Sequence, residues 1–157
     1  MKKESKTENF VVKEITKVAQ KVYNKIMLVE KPDLTLPIRS LSNVTYDEKE
    51  GYFRILNKEK IRTLSATTIK TFAQTLRMMS LSKDLIASED MATKREAYYV
   101  SKNWGDARFK EQPESDTVMD DIEAMLKVNR EKIGFVPEEK GGAVAGELVV
   151  LDKDSET

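Results

Sequence analysis

The sequence predicts an α+β domain, and three observations carry that expectation: an amphipathic helix near the start, short alternating segments framed by prolines and a glycine, and a later series of helices, one opened by a capping box. Phe10, Val11, Ile15, Val18, Ala19, Val22 and Ile26 recur at helical spacing, which predicts a helix over residues 10–29 after a polar, disordered start at 1–9. Pro32 and Pro37 end that helix and frame an extended piece at 34–38. Val44 and Tyr46 then alternate with polar residues before a turn at 47–51, and Tyr52, Phe53 and Ile55 form the returning strand. Residues 34–58 thus read as a small strand and hairpin region.

Ser65 or Thr67 is placed to cap a helix with Ile69, Phe72, Ala73, Leu76 and Met79 on one side. Leu81, Leu85 and Ile86 extend the series into a second short helix, and Met78 and Met79 read as packing residues. In Thr93-Lys94-Arg95-Glu96 the Thr side chain caps the third helical amide and Glu96 reaches back to the cap, so a helix starts there. It carries Ala97, Tyr98, Tyr99, Ser101 and Lys102 and ends near Trp104 and Gly105. Ser115 with Asp116 opens a further helix bearing Val118, Ile122, Met125, Leu126 and Ile133, closed by Gly134. Lys140 to Gly146 reads as a tight turn leading into a strand at 148–151, with a charged tail at 152–157. A helix pair ending in a capped helix, then another helix and a Gly-rich hairpin, makes a winged helix the natural candidate for residues 10–151.

Composition limits the chemistry. The 157 residues are 39% hydrophobic and 34% charged, which fits one domain, and 27 Lys+Arg against 27 Asp+Glu leave no global positive field. Any surface that binds nucleic acid must be local. The absence of Cys and His removes disulfides, thiolate nucleophiles, the imidazole base and the commonest metal ligands. Tyr, Lys, Arg and carboxylates are left. No run approaches the roughly 20 apolar residues of a membrane span, and the charged start lacks a signal-peptide core, so a soluble cytoplasmic protein with no membrane partner is expected.

Arg95 and Tyr99 are four residues apart and share a helix face, with Lys102 further along it. A phenol with an ordinary pKa near 10 needs neighbouring positive charge or a metal to act as a nucleophile. A guanidinium fork also suits a phosphate and offsets charge building on its oxygens. Spacing alone does not separate this reading from a surface Arg beside a half-buried Tyr.

The run Ser40-Leu41-Ser42-Asn43-Val44-Thr45-Tyr46-Asp47, Gly51, the block Thr93-Lys94-Arg95-Glu96-Ala97-Tyr98-Tyr99, and Glu114-Ser115-Asp116 with its acidic-apolar helix resemble the A subunit of topoisomerase VI, in family order. The Arg-x-x-Tyr-Tyr helix start is the most specific part and also marks the related meiotic double-strand-break proteins. The resemblance implies a CAP-like winged-helix DNA-binding domain in which Tyr99 is the nucleophile, Arg95 assists cleavage and Tyr98 supports by packing. Thr93 and Glu96 support the same helix through its cap. It further implies double-stranded DNA held through Lys94, Lys102, Arg108 and Lys110, with Lys140 on a wing. An A-subunit homodimer would work with a B subunit that binds ATP. Mg²⁺ would be held by a Toprim domain absent from these 157 residues, so no metal ligand is expected here. Asp152-Lys153-Asp154 spells Asp-x-Asp but reads as a solvated tail. The first helix docks the B subunit in one reading and packs on its own domain in the other. The alternative function is a non-catalytic winged-helix regulator or accessory protein, in which Tyr99 is only a recognition-helix contact.

Overall fold

The computed structural model describes residues 4–49 and 51–136; the expected turn with Lys140, the strand at 148–151 and the charged tail lie outside the described residues. The architecture is α+β. Helix α1 (Glu4–Met27) buries Val11, Ile15 and Val22, whereas Phe10 and Ile26, expected on the same stripe, are exposed. The helix starts at Glu4, earlier than the apolar pattern marks, because Glu4 to Glu8 are polar residues that a helix accepts but that carry no periodicity.

Strands β1 (Asp33–Pro37), β2 (Val44–Asp47), β3 (Tyr52–Ile55) and β4 (Glu59–Thr63) form two antiparallel pairs, β2 with β3 nested between β1 and β4. The whole is one ribbon, interrupted on one arm by a 3₁₀ turn at Leu41–Asn43. Buried Asn43 bridges the interruption: its Nδ2 donates to Ile38 O at 2.7 Å and Lys58 O at 2.9 Å, and its Oδ1 accepts from Lys58 N at 3.0 Å. The Ser-Leu-Ser-Asn segment therefore joins the two pairs. Gly51 closes the β2–β3 turn at φ +73°, a conformation that costs glycine least.

The ribbon extends beyond the expected region, since β4 pairs Leu34 with Arg62 and Thr35 with Ile61. Ile61, its one apolar residue, is exposed, and the inward member is Arg62, so alternation did not reveal the strand.

Helix α2 (Ile69–Ser88) is continuous, not two helices, because neither Gly nor Pro interrupts it and buried Ser82 donates its hydroxyl to Ile133 O at 2.7 Å without leaving the helix. Thr68, rather than Ser65 or Thr67, occupies the cap position; its hydroxyl donates to Thr63 O at 2.6 Å and ties the helix to β4. Helix α3 (Lys94–Val100) runs into 3₁₀ turns at Ser101–Asn103 and Gly105–Ala107. Helix α4 (Gln112–Leu126) starts before Ser115, since Pro113 in its first turn lacks only an amide that would have no partner there. It stops at Leu126, with Lys127 left-handed, so Ile133 belongs to a separate 3₁₀ turn, Arg130–Ile133, closed by Gly134. The core gathers Met78, Met79, Phe109, Met119, Ile122 and Phe135 among the helices.

Candidate functional site

The capping box that starts α3 is formed. Thr93 Oγ1 accepts from Glu96 N at 3.1 Å, and Glu96 Oε2 accepts from Thr93 N at 2.6 Å. Just upstream, Ala92 N donates to Gly134 O at 3.0 Å and Val136 N donates to Ala92 O at 2.9 Å, so the residue before the cap is pinned on both sides. Gly134 (φ +82°) closes this contact, and a Cβ there would stand 2.9 Å from Leu85 Cβ.

Buried Ala97 turns one face of α3 to the core, which leaves Arg95 and Tyr99 on the outer face, Tyr99 53% exposed. Arg95 Nη2 donates to Tyr99 Oη at 3.3 Å, and the guanidinium carbon lies 5.7 Å from the ring centroid. A cation thus stands beside the phenol oxygen.

Tyr98 is placed differently. It is half-buried against the core, and its hydroxyl donates to Lys110 O at 3.0 Å; the two tyrosine rings lie 5.4 Å apart. Lys102 turns its ammonium to Phe109 O at 2.9 Å and Lys110 O at 3.4 Å, with Nζ 3.9 Å from the Tyr98 ring centroid. Gln74 Nε2 donates to Arg108 O at 3.3 Å, and Lys110 N donates to Glu114 Oε2 at 2.9 Å, so backbone contacts fix the segment bearing the exposed Arg108 and Lys110. Lys94 is half-buried at the first position of α3, and Lys140 lies outside the described residues.

One polar network was missed by the sequence reading. Asp121, 2% exposed, accepts from Arg62 Nη2 at 2.9 Å and Arg39 Nε at 3.2 Å. Arg39 also meets Asp120 at 2.8 Å, and Arg130 pairs with Asp120 and Glu123. The network fastens the ribbon to α4. Its sequence signal was an acid on the apolar stripe of α4, between Val118 and Ile122. Beneath α1, Lys25 and Lys21 meet Asp33, and the Lys25 ammonium, foremost, holds this carboxyl below its ordinary value.

Among the described residues no group of three or more acidic residues is placed to hold a metal ion, and no helix is long and apolar enough to cross a membrane.

Comparison with known proteins adds kinship. The family described as type IIB DNA topoisomerase matches residues 70–135. The A subunit of type 2 DNA topoisomerase 6 from Methanocaldococcus jannaschii is 45% identical over 151 residues, covering 96% of this chain and 41% of the relative. The proteins of the same name from Methanothermobacter thermautotrophicus and Pyrococcus abyssi are 37% and 30% identical, over 80% and 93% of this chain and 35% and 39% of their own lengths. The chain spans about two fifths of the length of these relatives.

Proposed function

Since the chain belongs to the family of type 2 DNA topoisomerase 6 A subunits, we propose that it is the DNA-binding, tyrosine-bearing segment of the A subunit in a type IIB enzyme, with Tyr99 attacking a DNA phosphate. The observation that carries this reading is the division between adjacent phenols. Tyr98 Oη is committed to Lys110 O, whereas Tyr99 is exposed with a guanidinium 3.3 Å from its oxygen.

Attack by Tyr99 Oη forms a bond to phosphorus and breaks the bond from phosphorus to a deoxyribose oxygen; the phenolic proton is lost and the departing oxygen gains one. The phosphotyrosyl ester keeps the strand in an energy-conserving linkage, which suits transient double-strand breaks and strand passage. Arg95 holds the phosphate and offsets charge on its non-bridging oxygens. Lys94, Arg108 and Lys110 serve as sequence-independent backbone contacts on a winged-helix platform, with Lys140 on the wing. The platform acts in the cytoplasm on chromosomal DNA, within an A-subunit dimer paired with a B subunit that binds ATP. The family resemblance assigns Mg²⁺ to Toprim carboxylates; when bound it would supply charge stabilisation at the phosphate.

The test uses a full-length A subunit containing this segment, assembled with its B subunit, ATP, Mg²⁺ and duplex DNA, and quenched with denaturant. Protein covalently attached to DNA ends should form with wild type and with Tyr98→Phe, and vanish with Tyr99→Phe. Loss with Tyr98→Phe and survival with Tyr99→Phe would move the nucleophile one residue. Survival in both single variants would refute the reading.

A further inference from the structure

Lys102 invites the same assignment as its basic neighbours, but its surroundings argue otherwise. It lies one helical turn beyond Tyr98, and although the residue is exposed, its ammonium donates to the carbonyls of Phe109 and Lys110 while resting over the Tyr98 ring. Lys110 O accepts from both Tyr98 Oη and Lys102 Nζ, so one carbonyl is clamped by two side chains from the segment that carries Tyr99. Swinging the ammonium to a phosphate would break both carbonyl contacts and the ring contact together, and would loosen the peptide that presents Arg108 and Lys110. A lysine serving only as a phosphate contact has no use for such an arrangement.

We propose that Lys102 is a positioning residue and not a DNA contact: it locks residues 108–110 against α3, so that the cations of Arg108 and Lys110 keep a fixed offset from Tyr99. This rests on the cleavage reading above, and the experiments separate the two.

The first measurement needs no DNA. In the 157-residue chain, NMR should find the Lys102 ε-methylene protons shifted upfield by the Tyr98 ring, and that shift should disappear in Tyr98→Leu. Ordinary exposed-lysine positions in the wild-type chain overturn the proposal. Added short duplex, at concentrations that move the Arg108 and Lys110 amides, should leave the shift in place; its collapse has the same adverse meaning.

The second measurement is the salt dependence of duplex binding. Lys110→Met should make the slope of log K against log salt shallower by about 0.9, the value for one phosphate contact, whereas Lys102→Met should leave it unchanged. Equal loss in both variants overturns the proposal. In the assembled enzyme at saturating DNA, Lys102→Met should slow covalent adduct formation about tenfold, as expected when a reacting group loses its alignment, and Lys102→Arg should restore most of the rate. An unchanged rate sinks the positioning role, because a purely structural lysine would lower the melting temperature without this effect at saturation. If wild type forms no adduct, the cleavage reading fails, while the ring shift and the salt slope still decide on Lys102.

Discussion

Arg95 Nη2 and Tyr99 Oη are joined by a 3.3 Å hydrogen bond across one turn of α3, on the face turned away from buried Ala97. The contact is local, so it depends on the helix and not on distant packing. If Arg95 acts on the phosphate as charge builds there, Arg95→Ala should lower the rate of adduct formation by about a hundredfold or more while weakening DNA binding far less. Arg95→Lys should recover binding better than rate, since an ammonium lacks the planar fork. Quenched time courses beside equilibrium binding check both; equal losses in the two would reduce Arg95 to a tether.

The cap of this helix has its own energetic signature. Thr93→Ala should cost about 1 kcal/mol of stability. Adding Glu96→Ala should cost less than the sum of the two single changes, because both belong to one reciprocal pair of hydrogen bonds. Thermal melts of the single and double variants measure this, and strict additivity would mean that the box does not act as a unit.

Asp121 is a stronger point of failure. Asp121→Ala leaves Arg62 and Arg39 without the buried carboxylate between them, and should destabilise the fold by about 3–5 kcal/mol. Lys17→Ala, which removes the exposed pair with Glu14, should change stability by less than about 1 kcal/mol. Urea titrations compare the two, and similar effects would contradict the role given to burial.

A pH dependence follows from Asp33. Its folded carboxyl titrates below the ordinary 3.8, chiefly through Lys25, so the pairing stabilises fully above about pH 4 and is lost as pH falls through the lowered value. Asp33→Asn should therefore melt below wild type at pH 7, and the gap should narrow as pH falls through the lowered value. A gap independent of pH would show that charge is not the cause.

Local rules made the centre of the candidate site legible: a capping box needs four residues, and a pair four apart on a helix must share a face. The inner hairpin and the Val11, Ile15 and Val22 face of α1 were visible for similar reasons. What escaped notice depends on groups far apart in sequence. Strand β4 carries an arginine inward because Asp121 waits on α4, and no pattern within Glu59–Thr63 discloses a partner so remote. The direction of Lys102 was equally hidden, since spacing along α3 cannot say that the carbonyls of Phe109 and Lys110 return to meet it. The beginnings of α2 and α4 were misplaced because hydroxyl residues near a helix start are not always its cap: α2 is capped at Thr68 and not at Ser65 or Thr67, and Ser115 lies inside α4, where its hydroxyl donates to Gln112 O.

The short pairing of Ala92 with Gly134 and Val136 makes the chain entering α3 and the chain arriving at Val136 a single mechanical joint. Both amide and carbonyl of Ala92 are engaged, and its neighbour Thr93 is the cap, so no slack lies between that joint and the helix bearing Tyr99. Displacement of the segment 134–136 and displacement of the first turn of the tyrosine helix are therefore coupled through the two Ala92 hydrogen bonds.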